Sequence, residues 1–390
     1  MKSEAVVGVQ PSVMRWARES SGMSISDVAA RLKKPYELVE AWESGELMPT
    51  YIQLETLAYD LFKRPLALFF LPEPPLEKLP KQEFRTLPVA DLNRLKRDTH
   101  LHIRKAHAYQ VSLKEFYENK NPSEVKIWKS ISLSSVQSVA SQAETVRCLL
   151  DINIQQQASW GDDDIALKRW RKAIEDVGIF VFKDSFEQKE ISGFCLSDNN
   201  FPVIYLNNST TKTRQIFSLL HELAHVLFNV NGLSKFDRGY IGELPLTERR
   251  IETFCNSIAA EILIPSDDFN SQIKQLPFDM ETQEDSAFMV LAKRYGVSRE
   301  AILRRFLDLN RVTQSFYELK AAEWNGQKRA LPGGHWFNSQ GAYLSDRFMR
   351  EVFSSHYKNQ ISVEQASNFL GIKAKNFAGL EDVVLKRAYA

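Results

Sequence analysis

The sequence predicts a multi-domain, mainly α-helical chain with a small α+β unit in its second half and a bundle of short helices at its start. Three observations carry this. At 390 residues the chain is too long for one simple core. Helical periodicity recurs along most of it, whereas runs rich in β-branched and aromatic residues cluster between about residues 177 and 206. A stretch with five prolines from Pro72 to Pro88, FFLPEPPLEKLPKQEFRTLP, separates the first 71 residues from the rest and reads as an extended linker.

Composition narrows the class. Apolar content of 44% and charged content of 25% are those of a soluble globular protein. A net charge of +1 gives no global electrostatic footprint for nucleic acid or an anionic membrane. Cys148, Cys195 and Cys255 have neither disulfide-framework nor metal-knuckle spacing, which points to a reducing cytoplasm. The start, MKSEAVVGVQPSV, lacks an apolar signal core, and no apolar run approaches the roughly 20 residues of a membrane span. A cytoplasmic protein without a membrane partner is expected.

The elements follow in order. Residues 11–71 read as short helices with turn signals, and 72–90 as the linker. A helical connector over 91–160 begins with a basic helix from Asp91 to about Asn119, carrying Arg94, Lys96, Arg97, Arg104 and Lys105, with a second helix at 134–150. Residues 161–312 hold strands near 177–183, 191–196 and 202–206, then helices at about 212–229 and 247–263, the latter stopped by Pro265. Residues 313–390 are helical with a break at LPGGHWFNSQG.

Chemistry concentrates in SLLHELAHVLFN. Residues four apart on a helix share a face, so His221 and His225 can aim two imidazoles at one ion. Glu222 then lies within reach of a water on that ion, the arrangement of zinc-dependent peptide hydrolysis. The plain alternative is a buried helix whose histidines bond core carbonyls. Ile216, Phe217, Leu219, Leu220, Leu223, Val226 and Leu227 make the helix apolar nearly all round, and a buried helix carries such polar groups only where a partner satisfies them. A third protein ligand is needed. Glu243, Glu248, Glu252 and Glu261 are candidates, and spacing does not choose between Glu252 and Glu261. Glu252 and Asn256 are themselves four apart, so Asn256 could orient a histidine through its far ring nitrogen.

NFPVIYLNNSTTKTRQIFSLLHELAHVLFN followed by IETFCNSIAAEILIP resembles the ImmA/IrrE family of zinc peptidases over about residues 175–310. The resemblance implies a zincin-like α+β peptidase unit with zinc as cofactor, His221, His225 and Glu252 as ligands, and Glu222 as general base. Ile258 stands where the family often has Phe. His335, in PGGHW, and Tyr240 are weaker candidates for stabilising an oxyanion. His100, His102, His107 and His356 lack ligand-like carboxylate spacing, and the first two are expected on a solvated helix.

SISDVAARLKKPYELVEAWESGELMPT has helix-turn-helix spacing: Val28-Ala29, a turn, Val39 facing inward, then Trp42-Glu43-Ser44-Gly45, with Ser24 and Asp27 as an N-terminal cap. The stretch resembles Xre-type domains over residues 12–70, which implies that the second helix, about 35–44, enters the major groove. Arg31, Lys33, Lys34, Tyr36, Glu37 and Glu40 are its candidate DNA-contacting residues, and a dimer would concentrate Arg15 and Arg18 beside the basic ones. Lys33 replaces the usual turn glycine, and residues 1–75 carry 8 Lys+Arg against 10 Asp+Glu, a weak basis for phosphate binding. A protein-interaction module of the same fold is the alternative. Similar spacing recurs in LAKRYGVSREAILRRFLDL and in SVEQASNFLGIKAKNF, both expected as scaffold. Residues 320–390 carry 10 Lys+Arg against 6 Asp+Glu, a balance usual for a solvated face.

The combination implies a regulator that joins an operator-binding domain to a zinc endopeptidase, in which glutamate-activated zinc water attacks a peptide carbonyl of a specific partner protein. The rival is an antitoxin that neutralises a cognate toxin by contact and represses its own operon, its zinc site not needed for neutralisation. A purely structural zinc site is a third reading. A homodimer is the expected state for paired DNA half-sites. Arg85, in EFRTLP, has no role readable from sequence.

Overall fold

In the computed structural model, which describes residues 4–77, 80–237, 239–274, 276–277, 280–281, 283–326 and 343–388, the chain divides into two units, 1–105 and 106–390. In the first, α1 (Pro11–Glu19), α2 (Ile25–Leu32) and α3 (Tyr36–Ser44) pack around Met14, Ala17, Val28, Val39 and Trp42. Ser24 and Asp27 form a reciprocal capping box at the start of α2. Lys33 ends α2 in the left-handed conformation, φ 55°, doing with a side chain what glycine does without strain. Gly45 does the same for α3. Glu43, buried on α3, accepts from Arg18 of α1 through Nε at 2.7 Å and Nη2 at 2.9 Å. In Trp42-Glu43-Ser44-Gly45, therefore, Trp42 fills the core, Glu43 clamps α1 and Gly45 turns the chain.

The expected extended linker is instead folded onto this unit. Phe84, Thr86 and Leu87 are buried, and Glu77 grips Arg64 at 2.5 and 2.7 Å. Its prolines forbid a long helix but open single turns, Pro80–Glu83 and, after Pro88, Val89–Leu92. The basic helix starts only at Arg97 and runs to Phe116. Its early turns are also not solvated as expected: His102 is buried beside Asp98 at 3.2 Å, and His100 packs against Gly22, where an added Cβ would come within 2.5 Å of the ring. Burial pulls the His100 imidazole down to about 4. Arg97 and Arg104, expected on a basic helix, donate to the carbonyls of Leu61 and Phe62 at the end of the helical segment Thr56–Phe62.

In the second unit a four-stranded sheet has the order β1-β3-β2-β4: β1 (Phe180–Asp184), β2 (Ile191–Leu196), β3 (Val203–Asn207) and β4 (Leu233–Lys235). β1 pairs parallel with β3, and β2 pairs antiparallel with β3 and β4. Sequence reading missed the three-residue β4. Strand alternation splits the side chains. Val181, Cys195, Ile204 and Leu206 face the helical core, while Phe180, Phe182, Phe194 and Tyr205 are buried among aromatics, with Tyr109 stacked on Phe182 at 4.1 Å.

Two long helices lie in that core. The histidine helix, Lys212–Leu227, is capped by Thr211, and its residues from Ser218 to Leu227 are all buried. The glutamate helix, Leu246–Leu263, packs against it. Its last carbonyls are satisfied by Arg147 on Ile262 and Gln157 on Leu263, at 2.5 and 2.9 Å. Residues expected as a connector thus complete this core.

Helices Asp285–Tyr295 and Arg299–Asp308 are joined through left-handed Gly296. Arg299, Arg304 and Arg305 of the second are paired with Asp285, Asp308 and Glu261, as befits scaffold. The chain ends in helices Asp346–Tyr357, Val363–Leu370 and Phe377–Ala388. Arg347 ties the first of these to Glu175 O at 2.9 Å, and Phe116 meets Phe348 and Phe369 edge-on. Among the described residues, no helix is long and apolar enough to cross a membrane.

Candidate metal centre

His221 and His225 project from consecutive turns of the histidine helix, and Glu252 faces them from the glutamate helix. Their Nε2 atoms lie 3.1 Å apart, His225 Nε2 is 3.0 Å from Glu252 Oε1, and His221 Nε2 is 3.4 Å from Glu252 Oε2. Two nitrogens on a tetrahedral zinc at its usual bond length stand about 3.3 Å apart, so this triangle has the dimensions of a mononuclear site. His225 and Glu252 are fully buried and His221 is 4% exposed. Burial would raise the Glu252 carboxyl, but the two imidazoles hold it well below the usual carboxylate range. Burial opposes a proton on His225, yet Cys255 and Glu252 raise the ring's affinity for one.

The residues fit a metal. Three donors converge, and polar atoms at their edge are left without protein partners: His221 Nδ1 and both carboxylate oxygens of Glu222 have no well-formed hydrogen bond among the described residues. Two imidazoles and one carboxylate are a donor set of catalytic zinc sites.

The surroundings hold supporting contacts that sequence reading did not assign, one of them from Tyr240, which it offered only as an oxyanion stabiliser. Tyr240 donates its hydroxyl to Glu252 Oε2 at 3.0 Å, steadying the carboxylate. Burial first, and then Glu252, push the phenol far above its usual range. Cys255 Sγ lies 3.7 Å from His225 Nδ1, the place expected for Asn256. Asn256 instead donates to Glu252 O at 2.9 Å, one turn back on its own helix. Both positions share a face with Glu252, one at three residues and one at four, and the shorter step points at the ring. Gly232 backs the site: an added Cβ would stand 2.6 Å from His225 Cδ2 and 2.9 Å from Glu222 Oε2. Its N–H donates to Cys195 Sγ at 3.2 Å and its carbonyl accepts from Cys195 N at 2.9 Å. The Cys195 thiol is pushed up by burial and then by the Glu222 carboxylate. The glycine in VNGL is the signal that could have found this support.

Of the other acidic candidates, Glu261 accepts from Arg305 and caps Ser266 at 2.7 Å, Glu243 is exposed and Glu248 is half-buried. None of these three joins the cluster. His335 lies outside the described residues. Arg31, Lys33, Lys34, Tyr36, Glu37 and Glu40 are all exposed along the end of α2 and the start of α3. Arg18, expected to add positive charge there, is spent on Glu43. Arg85 is exposed.

Residues 174–307 match the family model of Peptidase_M78, described as an IrrE N-terminal-like domain. The family model is that of a metallopeptidase-type domain, to which this segment is similar. The match covers about a third of the chain and includes the sheet, both site-bearing helices and the pair at 285–308. No curated protein matches the chain.

Proposed function

We propose that this protein is a regulatory zinc endopeptidase that cleaves a specific partner protein, with residues 11–71 acting as an Xre-type helix-turn-helix that recruits it to an operator. The convergence of His221, His225 and Glu252 beside the buried, unpartnered carboxylate of Glu222 carries the reading. His221, His225 and Glu252 would hold the ion. Bound zinc supplies Lewis acidity to a scissile carbonyl and lowers the pKa of water. Glu222 takes the proton from the attacking water and returns it to the leaving amine. Its surroundings suit that task, since Gly232 leaves room for the carboxylate and no protein hydrogen bond of good geometry competes for it. Tyr240 and Cys255 orient Glu252 and His225 from behind.

A second reading, an antitoxin that neutralises a toxin by binding, is favoured by the depth of the centre, where no member of the set exceeds 4% exposure. Glu222→Gln separates the two. The variant should keep the metal and the fold but lose cleavage, by at least a thousandfold for a lost general base in this setting. Tagged wild-type and variant proteins are used to capture partners from the native host. A partner intact on the variant and shortened or absent on wild type supports the peptidase. One held intact by both supports the binding protein, and cleavage surviving in the variant would sink the mechanism.

A further inference from the structure

We propose that the C-terminal helices are a second helix-turn-helix, and that it binds double-stranded DNA. The inference stands apart from the metal centre and rests on a register that the two ends of the chain share. In each, the N-cap of the second helix follows the last residue of the first by five: Glu19 to Ser24, and Tyr357 to Ser362. Each N-cap serine closes a capping box, with Asp27 in one and Gln365 in the other. The left-handed turn residue comes nine after the serine, Lys33 and Gly371, and the next helical segment starts three residues later, at Tyr36 and Ala374.

The interior repeats in the same register. Val28 and Ala29 are buried on one second helix, and Ala366 and Ser367 on the other. Val39 and Trp42 are buried on one third helix, and Phe377 and Leu380 on the other. Glu381 stands at the position equivalent to Glu43 and also bonds back to the first helix, accepting from Tyr357 at the solvent edge, whereas Glu43 holds the buried Arg18 one position earlier in that register. A chance helical hairpin would share the turn but not the cap and the core positions together. Gly371 supplies the turn glycine that Lys33 replaces at the other end.

The surfaces differ where it matters. At the start of the N-terminal third helix stand Tyr36, Glu37 and Glu40, a poor match for phosphate. The C-terminal segment presents Lys373, Ala374 and Lys375, all exposed, followed by half-buried Asn376, with no acidic residue in that turn. Lysine neutralises phosphate or reads guanine, and asparagine can pair with adenine in the major groove. Residues 299–308, the remaining helix with this spacing, have their arginines committed to acidic partners, so they offer no such surface.

The test uses the full chain and a fluorescent duplex of randomised sequence, with anisotropy read from 50 to 200 mM salt. Lys373→Glu with Lys375→Glu should weaken binding at least tenfold and lower the salt slope by about 2, one phosphate contact per lysine. Lys373→Gln with Lys375→Gln should act in the same direction with less loss, and keeps the test sound if the reversed pair misfolds by circular dichroism. Lys168→Glu with Arg169→Glu, an exposed pair on the helix Asp163–Asp176 outside both helix-turn-helix surfaces, should leave this affinity within about twofold, and Lys33→Glu with Lys34→Glu reads the N-terminal contribution separately. Wild-type binding unchanged by the C-terminal variants overturns the proposal. If it then falls with the Lys33 and Lys34 variant, the N-terminal recruitment reading survives alone, whereas no binding by wild type at 50 mM salt overturns both.

Discussion

At the scale of single residues, the metal centre depends on a glycine as much as on its ligands. Gly232 passes so close to the histidine helix that its Cα leaves no room for a methyl group: the added atom would meet His225 at 2.6 Å and Glu222 at 2.9 Å. Neither neighbour can yield easily, because both sit on a helix buried from Ser218 to Leu227. Gly232 itself is pinned to Cys195 by two hydrogen bonds. Gly232→Ala should therefore lower zinc affinity at least tenfold in a chelator competition and cost about 1–3 kcal/mol of stability, as overpacking does. Wild-type affinity in this variant would mean that the site tolerates a wider mouth than its geometry suggests. The same scale shows how a pattern misleads. Positions three and four residues past Glu252 both face its partners, and only packing decides that Cys255 rather than Asn256 reaches His225.

At the scale of elements, two helices are held in place at a cost that experiment can read. Lys33 closes α2 with φ 55°, a conformation that strains any side chain with a Cβ. Lys33→Gly should raise stability by about 0.5–1 kcal/mol in denaturant unfolding, and a loss would show that the lysine stem packs usefully. The helix Asp346–Tyr357 docks through Glu175, which is buried and accepts from the backbone of Val181 and Arg347 at 3.3 and 3.2 Å. Burial pushes this carboxyl up to about 7, Arg171 opposing and Asp346 adding to the rise. Unfolded, it ionises near 4.5. Between those values the folded chain keeps a proton that the unfolded chain has lost, so stability is fully present at the acid end and lost as pH rises through about 7. Relative to Glu175→Gln, wild type should thus lose up to a few kcal/mol between pH 4.5 and 7.5. Parallel stability curves would place the ionisation elsewhere. Much of this architecture was legible. Periodicity located the two site helices and three of the four strands, and the HExxH spacing named both histidines of the cluster. The choice of Glu252 over Glu261 came from resemblance, because helical spacing is identical for a ligand and for a glutamate that caps Ser266. β4 was missed because three residues show no alternation. The burial of Phe84 and Leu87 in the expected extended linker, and of His100 and His102 on the expected solvated helix, was not legible because burial by distant segments leaves no local signature.

At the scale of the whole molecule, the division at residue 105 and the placement of the metal centre in one unit have a joint thermodynamic consequence. Each unit has its own hydrophobic core, one built on Trp42, Phe62 and Phe69, the other on the sheet and its two long helices. Calorimetry should then show two transitions rather than one. In the zinc-peptidase reading the ion would bind the native second unit through residues from two helices, which separate on unfolding, so the free ion should stabilise that unit alone. At a hundredfold excess over its dissociation constant the gain is about 2.7 kcal/mol. For a unit of this size that raises its midpoint by roughly 4–5 °C, leaving the other transition unmoved. Glu252→Ala removes one ligand and should abolish the shift, whereas Glu222→Gln, which removes none, should retain it. That contrast ties the thermal response to ligation rather than to charge lost near the site. A shift common to both transitions would mean that the two units unfold together, and a shift that survives Glu252→Ala would place the metal on other residues.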